Sequence, residues 1–339
     1  MANSYDKILL AHGGGGQLSD ELIRGTILTR LKNETLCELG DSAKLSLGSS
    51  NICFTTDSYV VKPLFFNGGD IGKLAVCGTA NDLVMAGAKP AALSLALIIE
   101  TGFEMATLER ILDSIASEAK KNGLQIVTGD TKTVEAGAAD GIFINTAGVG
   151  VKIEAANLGM DKIKPGDRII INGSIGDHGM TIISQRKGIE FDTKLSSDCA
   201  CVAPLACKLA EEVAGLKFMR DPTRGGAAVV LNDIAKASGL NIEIEETQIP
   251  IKPAVQAAAD ILGFDILEIA NEGKFIAVVS AEDAQKALDI CKADPLGRDA
   301  SIFGQVLEAS DNPLVEMNTK IGGRRIVQVP SGRQLPRIC

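Results

Sequence analysis

Apolar residues recur at two different spacings along this 339-residue chain, and each spacing predicts a different element. In one stretch they recur every three or four positions, which places them on one face of an amphipathic helix. That face is formed by Leu108, Ile111, Leu112, Ile115 and Ala119. Residues 91–99 instead form a continuous apolar run, which is typical of a strand buried on both faces. The chain therefore contains both helices and buried strands.

The same patterns predict alternating elements in both halves of the chain. In the first half they predict strands at 7–10, 43–47, 51–56, 59–61, 91–99, 124–127 and 141–151, with helices beginning at 18, 70 and 108. In the second half they predict strands at 168–171, 241–245, 274–280, 301–308, 314–318 and 325–329, with helices at 179–187, 203–214, 225–238 and 281–293. We therefore expect an α/β (α+β) protein with domains at 1–155 and 156–329, divided at a polar stretch, and a flexible tail at 330–339.

Length and composition agree with two domains, because 339 residues with 45% hydrophobic content exceed one ordinary core. The net charge of −9 argues against nucleic acid as a main partner, since phosphate binding needs a clustered basic surface. The first apolar run, at 8–11, is too short for a signal sequence or a membrane span, so we expect a cytoplasmic protein without membrane contact. The eight cysteines lack the paired spacing of a zinc site and are expected to be reduced.

The sequence ends on Cys339, beyond the last predicted strand. The residues before it, 330–338, include proline, glycine and polar side chains without a hydrophobic period, which predicts a mobile arm that buries little surface. At about 3.3–3.6 Å per residue, an extended arm from Ser331 to Cys339 spans roughly 30 Å and can reach a distant pocket. The alternative is a frayed terminus that happens to end in cysteine.

Three aspartates lie at the ends of apolar strands or in tight polar contexts: Asp57, Asp82 and Asp130. Carboxylate oxygens are the hard ligands that Mg²⁺ prefers, usually one or two of them together with nucleotide phosphates. The commoner explanation for each aspartate taken alone is a turn or a helix cap. Asp82 stands out, because an acid inside a small, apolar helix needs a partner.

Three further features are candidates for binding or catalysis. His12 is followed by four glycines, a loop that either directs its N–H groups at a phosphate or is simply a flexible turn. Glu272 precedes a buried strand and is a candidate general base, although an exposed turn glutamate is the commoner explanation. His178 lies at a helix start and is either catalytic or structural.

Taken together, these strings resemble the HypE family of hydrogenase maturation proteins, and the resemblance spans the chain. The matching strings are LAHGGGG at 10–16, TTDS at 55–58, GGDIG at 68–72, NDL at 81–83, TGDTK at 128–132, GDHGM at 176–180, MRDPTRGG at 219–226, NEG at 271–273 and PRIC at 336–339. The last string is the most specific. The wider superfamily, which includes aminoimidazole ribonucleotide synthetase and selenophosphate synthetase, lacks this tail.

The resemblance implies two mixed α/β domains of the aminoimidazole ribonucleotide synthetase type, in which the N-terminal sheet joins that of a second subunit as a dimer barrel. It also implies an ATP-dependent carbamoyl dehydratase that uses ATP and Mg²⁺. The carbamoyltransferase HypF would load a carbamoyl group on Cys339, dehydration would give a thiocyanate, and a HypC–HypD complex would accept the cyanide for a nickel-iron hydrogenase.

The same resemblance implies a role for individual residues. Cys339 would carry the reacting group, Glu272 is the first candidate for the base and His178 the second, and Lys132 would offset charge on the transferring phosphoryl group. Mg²⁺ is expected at Asp57, Asp82 and Asp130. Nucleotide binding is expected at Asp41, Asp57, Lys62, Asp82, Asp130, Thr131, Gly13 and Gly14.

Two other functions stay open at the level of the sequence. A small-molecule phosphotransferase of the same superfamily, such as a selenophosphate synthetase, would want a reactive cysteine near the glycine loop, and residues 11–17 contain none. A nucleotide-sensing carrier would bind ATP and dock its tail on a partner without any change in the mass of Cys339.

Overall fold

The protein is described by a computed structural model covering residues 6–9, 12, 21–37, 51–189, 195–329 and 337–339. The strands are β1 (Ile52–Tyr59), β2 (Phe65–Phe66), β3 (Gly69–Asp70), β4 (Ala88–Glu100), β5 (Gln125–Val134), β6 (Ile142–Lys152), β7 (Arg168–Ile171), β8 (Leu216–Arg220), β9 (Leu240–Glu245), β10 (Ile276–Val279), β11 (Ser301–Ala309), β12 (Val315–Asn318) and β13 (Arg324–Ile326). The α-helices are α1 (Leu28–Leu31), α2 (Glu34–Cys37), α3 (Ile71–Met85), α4 (Met105–Lys121), α5 (Asp177–Lys187), α6 (Ala203–Glu212), α7 (Gly226–Ser238), α8 (Pro253–Leu262) and α9 (Ala284–Ala293). A π-helical turn, Ile23–Ile27, precedes α1.

The first sheet has the strand order β1-β6-β4-β5 and is antiparallel except for the β4–β5 pair. Helix α3 packs on this sheet, and α4 packs against α3. The close approach of α3 to β1 requires Gly78, because a Cβ there would lie 2.3 Å from the Tyr59 hydroxyl. On the opposite face of the sheet, Ile52, Phe54 and Ile98 are exposed.

Helix α3 begins at a polar cap and is otherwise apolar. The Asp70 carboxylate accepts hydrogen bonds from Gly72 N at 2.8 Å and from Lys73 N at 3.1 Å, which satisfies N–H groups of the first turn. Nearly all residues of the helix are buried, because it lies between the first sheet and α6. This position places Asp82, in the last turns of α3, next to the second half of the chain.

The second sheet has the order β13-β12-β9-β11-β7-β10-β8 and is antiparallel except for the β9–β12 pair. Every residue of β10 is buried, as expected for a strand covered on both faces. Helix α7 covers one face, while α6 and α9 lie on the other, where their core is continuous with that of the first sheet. The predicted mixed α/β fold is therefore confirmed.

An extended segment at 195–202 joins the two halves of the molecule. Asn81 in α3 donates through Nδ2 to Ala200 O at 3.1 Å and accepts at Oδ1 from Val202 N at 2.8 Å. On its other side, Ala200 N donates to Glu272 O at 3.2 Å. The segment thus fixes the backbone of Glu272 relative to α3.

Some predicted elements differ from the fold. The strand predicted at 7–10 is wrong within the described residues, where Lys7 forms only an isolated bridge to Glu104. Of the strand predicted at 59–61, only Tyr59 belongs to a strand, as the last residue of β1, and the strand predicted at 43–47 lies outside the described residues. Strand β8 and helix α8 were not predicted. Within the described ranges, no helix is long and apolar enough to cross a membrane.

Candidate active site

The end of the tail docks beside the residues that follow β1. Val60 N donates to Cys339 O at 3.0 Å, and Lys62 N donates to Arg337 O at 3.4 Å. Between these two contacts, the Ile338 side chain is only 3% exposed and belongs to the hydrophobic core. The expectation that the tail buries little surface is therefore wrong at Ile338.

His178 holds the tail through its ring. Its Nε2 lies 2.7 Å from Ile338 O, and its Nδ1 lies 2.9 Å from Ser197 Oγ. Burial lowers the pKa of His178, so the ring is neutral. Because a carbonyl oxygen can only accept, Nε2 carries the proton and Nδ1 accepts from Ser197. The Phe66 ring packs against the His178 ring edge to face, with the two ring centroids 5.5 Å apart. Both ring nitrogens are thus engaged in positioning contacts.

Glu272 is a buried acid that acts on the reactive sulfur through its charge. Its side chain is 4% exposed, and its Oε1 has no hydrogen-bond partner among the described residues. After burial, the Glu272 charge is the largest cause that raises the pKa of the Cys339 thiol. Burial raises the pKa of Glu272 well above its ordinary 4.5, and the nearby Cys199, Asp221 and Asp198 raise it further. Burial likewise raises the pKa of the Cys339 thiol. The docked tail therefore presents a neutral thiol to a carboxyl group with an unusually high proton affinity.

Carboxylates from both halves of the chain approach this point. Burial raises the pKa of Asp82 to about 6, and the Asp57 charge contributes, while a 3.1 Å hydrogen bond from Thr55 Oγ1 opposes the shift. Burial also raises the pKa of Asp221 to about 7, with contributions from the Asp82 and Asp57 charges. These acids repel one another, and Arg224 only partly offsets them at Asp82. A cation bound among them would relieve this repulsion.

The acids would suit a magnesium ion if phosphate oxygens supplied the rest of its ligands. In the described part of the chain, no group of three or more His, Cys, Asp or Glu residues is arranged to hold a metal ion by itself. Mg²⁺ commonly takes only one or two protein carboxylates and completes its shell with water and nucleotide phosphates. Asp57 and Asp82 could supply those one or two carboxylates.

Asp130 and Lys132 lie elsewhere in the single chain. Lys132 Nζ pairs with Asp130 Oδ1 at 2.9 Å, and both side chains are largely exposed. In the register of the sheet, Asp130 of β5 pairs with Ala96 of β4, and Ala96 pairs on its other side with Asn145 of β6. Strand β5 is therefore three strand spacings from β1, about 14 Å. One copy of the chain does not bring Asp130 to Asp57, which faces the helix-covered side. Thr131 N donates to Asp130 Oδ1 at 2.9 Å.

The remaining predicted nucleotide-binding residues divide into two groups. Lys62 Nζ forms an ion pair with Asp140 Oδ2 at 2.7 Å, beside the docked tail. Gly13, Gly14 and Asp41 lie outside the described residues.

Comparison with known proteins agrees with this architecture. The family described as AIR synthase related protein, N-terminal domain, matches residues 40–152, and the corresponding C-terminal domain family matches residues 164–315. The carbamoyl dehydratase HypE of Rhizobium leguminosarum bv. viciae is 48% identical over 334 residues, which covers 98% of this chain and 95% of the relative. The chain belongs to the HypE family.

Solved structures of HypE proteins have the same fold. Hydrogenase maturation protein HypE in complex with ATP matches with a TM-score of 0.94 at 42% identity, over 98% of this chain and 99% of the other. A HypE–HypF complex matches with a TM-score of 0.80 at 48% identity, over 91% of this chain and 99% of the other. The HypE-family resemblance predicted from the terminal PRIC string and the other strings is confirmed.

For this HypE-family chain, sequence reasoning missed several residues that shape the site. Asn81 connects α3 to the segment beside Glu272, and the Asn-Asp pair in an apolar helix was a signal for it. Asp198 accepts from Glu272 N at 3.1 Å and lies 3.7 Å from Lys274 Nζ, a contact with no local sequence signal. Asp140 pairs with Arg337 across 197 positions of sequence, which no local pattern can indicate.

Proposed function

We propose that this protein catalyses the ATP-dependent dehydration of a carbamoyl group carried on its own Cys339, which gives a thiocyanate for the cyanide ligand of nickel-iron hydrogenase. The observation that carries the proposal is the docked tail, which Val60 N and His178 hold through Cys339 O and Ile338 O, and which brings the Cys339 thiol under the charge of the buried Glu272. Glu272 Oε1 is buried and has no hydrogen-bond partner among the described residues, which a purely structural acid would not leave unsatisfied. A group attached to that sulfur would lie against a buried base in surroundings poor in water.

The overall reaction converts S–C(=O)NH₂ and ATP into S–C≡N, ADP and phosphate. ATP supplies the phosphoryl group that turns the amide oxygen into a leaving group. Glu272, when ionised, takes the nitrogen protons, and its raised pKa gives it the proton affinity for this task. His178 keeps the tail in register by donating to Ile338 O, which holds the sulfur at Glu272. Lys132 is the proposed counterion for the transferring phosphoryl group.

Mg²⁺ is the second proposed cofactor, with Asp57 and Asp82 as its ligands in one copy of the chain and Asp130 in another. Its role would be to neutralise the phosphate charges. The separation of Asp130 from Asp57 within one chain supports a site shared between copies. In a barrel closed by two sheets, the free edge of β5 would meet the free edge of a second copy's β1, which carries Asp57.

We propose a homodimer on the same basis. The uncovered face of the first sheet carries exposed apolar side chains near both of its ends, Ile52 and Phe54 on β1 and Ile98 on β4, with exposures of 52%, 68% and 43%. Such exposure is costly in water, and these side chains would be buried inside a barrel of two sheets. The domain limits of 1–155 and 156–329, a separate tail at 330–339, and the nucleotide contacts of Asp41, Lys62, Thr131, Gly13 and Gly14 belong to the same proposal. Residues 330–336 of that tail lie outside the described residues.

We further propose HypF as the donor of the carbamoyl group and a HypC–HypD complex as the cyanide acceptor. The complex of a 48% identical HypE with HypF supports the first of these partners. The reaction would take place in the cytoplasm, where a thiol that carries substrate stays reduced.

The test is mass spectrometry of the C-terminal peptide of protein loaded with a carbamoyl group on Cys339. Addition of ATP and Mg²⁺ should remove the mass of one water from that peptide. The Cys37→Ala variant, which removes an exposed thiol elsewhere, should behave as wild type, whereas Cys339→Ala should never acquire the group. An unchanged peptide mass after ATP would contradict the dehydratase and favour a nucleotide-sensing carrier.

A further inference from the structure

The side chain of Arg337 links the tail to the first sheet, two residues before the reactive sulfur. Its Nε donates to Val60 O at 2.7 Å, and its Nη1 pairs with the Asp140 carboxylate. The guanidinium carbon also lies 5.7 Å from the centre of the Phe143 ring, within cation–π range. Arg337 has a positive φ of 52°, so it is held in a conformation that non-glycine residues adopt rarely. Contacts of this side chain therefore add to the backbone bonds and the His178 contact that hold the tail.

Asp140 is itself held in place from the sheet. It precedes β6 in the turn after β5, and the Glu100 carboxylate accepts hydrogen bonds from Gly137 N and Gly141 N of that turn. These backbone contacts lower the pKa of Glu100, which keeps it ionised and the turn closed. Asp140 is thus a preorganised acceptor and not a side chain recruited by the tail.

Two cations pair with the Asp140 carboxylate when the tail is docked, and a third lies beside them. Lys62 Nζ lies 2.7 Å from Asp140 Oδ2, and Arg337 binds the same oxygen. Arg186 of α5 donates to the backbone carbonyls of Lys62 and Arg337. Burial lowers the pKa of Arg186, and the nearby Arg337 charge lowers it further. Among the described residues, Asp140 is the acid that forms an ion pair with Arg337. Without it, the docked Arg337 would meet mainly like charge.

We propose that Asp140 is a positioning residue that holds Arg337, and through it the sulfur of Cys339, at Glu272. The ion cluster of Asp140, Lys62, Arg337 and Arg186 connects the first sheet, the tail and α5, so the docked tail also ties the two halves of the chain together. Its consequence for dehydration rests on the proposed function. Its effect on docking does not, because docking involves neither nucleotide nor carbamoyl group.

The test measures how fast iodoacetamide alkylates Cys339, by mass spectrometry of the C-terminal peptide without nucleotide. In Asp140→Asn we expect alkylation to be about tenfold faster than in wild type, the size expected for one charge-assisted, partly exposed pair. Asp161→Asn is the matched control, because Asp161 is an exposed acid paired with Lys162 at 3.0 Å far from the tail. That variant should alkylate at the wild-type rate.

Salt separates a positioning role from a general loosening of structure. In wild type, added salt should screen the Asp140–Arg337 attraction and speed alkylation. In Asp140→Asn the remaining cations repel, so added salt should slow it. If Asp140→Asn does not fold, Arg337→Gln removes the same ion pair from the tail side and should give the same rate increase. Combining the two substitutions should add little to either alone.

Equal alkylation rates in wild type and Asp140→Asn, or the same sign of salt dependence in both, would overturn the proposal. With carbamoyl-loaded protein, Asp140→Asn should dehydrate about tenfold more slowly, while loading by the carbamoyltransferase, which needs the tail accessible, should not slow. Faster alkylation of Asp140→Asn, together with no ATP-dependent mass change in wild type, would leave the positioning role of Asp140 standing and refute the proposed function instead.

Discussion

Asp82→Asn should stabilise the protein at alkaline pH while removing a ligand from the proposed magnesium site. Burial raises the pKa of Asp82 from its ordinary 3.8 to about 6, so the folded state binds its proton more tightly than the unfolded chain does. The contribution of protonated Asp82 to the free energy of unfolding is fully present below the unfolded pKa. It is lost as the pH rises from about 4 to about 6. At about 1.36 kcal/mol per pKa unit, this difference corresponds to ~3 kcal/mol.

Part of the Asp82 side chain contacts solvent, which screens its charge, so we expect about half of that value. Asparagine has the shape of aspartate and can still accept the hydrogen bond from Thr55 Oγ1. The variant should therefore exceed wild type by ~1.5 kcal/mol in free energy of unfolding at pH 8. The gain should vanish as the pH approaches 4, where wild-type Asp82 is protonated in the folded state.

The assay is urea unfolding at pH 8 and at pH 5, with the free energy obtained by linear extrapolation. Asp130→Asn is the matched control, because that carboxylate is 60% exposed and paired with Lys132, and we expect a change within about 0.5 kcal/mol at both pH values. An Asp82→Asn variant that is equally stable or less stable than wild type at pH 8 would refute the reasoning. The electrostatic strain at this site would then be absent.

Three further predictions follow from the same contacts. Glu272→Gln should slow dehydration at least about a hundredfold, measured as persistence of the carbamoylated peptide, and unchanged turnover would remove Glu272 from the base role. Ile338→Ala loses about 2 kcal/mol of apolar burial, so iodoacetamide should reach Cys339 about thirtyfold faster with the same melting temperature, whereas a lower melting temperature with unchanged protection would contradict docking. Removal of Mg²⁺ with a chelator should abolish the ATP-dependent mass change, and persistence of that change would exclude the metal role of Asp57 and Asp82.

The sequence predicted the regular elements well where burial imposes a clear period. The amphipathic face of α4 could be predicted because Leu108, Ile111 and Leu112 recur at helical spacing, and all three are fully buried in the structure. Strand β8 was missed because its burial does not alternate and its five residues include two cations, so a short strand at the sheet edge had no pattern. Helix α8 was missed because its buried face is mostly small, with Val255, Ala258 and Ala259.

The candidate site was predictable in its residue types and less so in its geometry. Glu272 and Cys339 were both singled out, yet their proximity depends on backbone hydrogen bonds from Val60 and from Ala200 that link distant parts of the chain. The burial of Ile338 could not be predicted from one apolar residue among polar neighbours. The position of Asp130 follows from strand order, which the spacing of motifs does not determine.

The central claim is that Cys339 brings a carbamoyl group to Glu272 and that its oxygen leaves on phosphate. The most direct test loads Cys339 with a carbamoyl group that carries a heavy oxygen isotope and then adds ATP and Mg²⁺. The account predicts that one labelled oxygen appears in the released inorganic phosphate for each thiocyanate formed on Cys339. Label that appears in water instead, or phosphate released without thiocyanate, would contradict it.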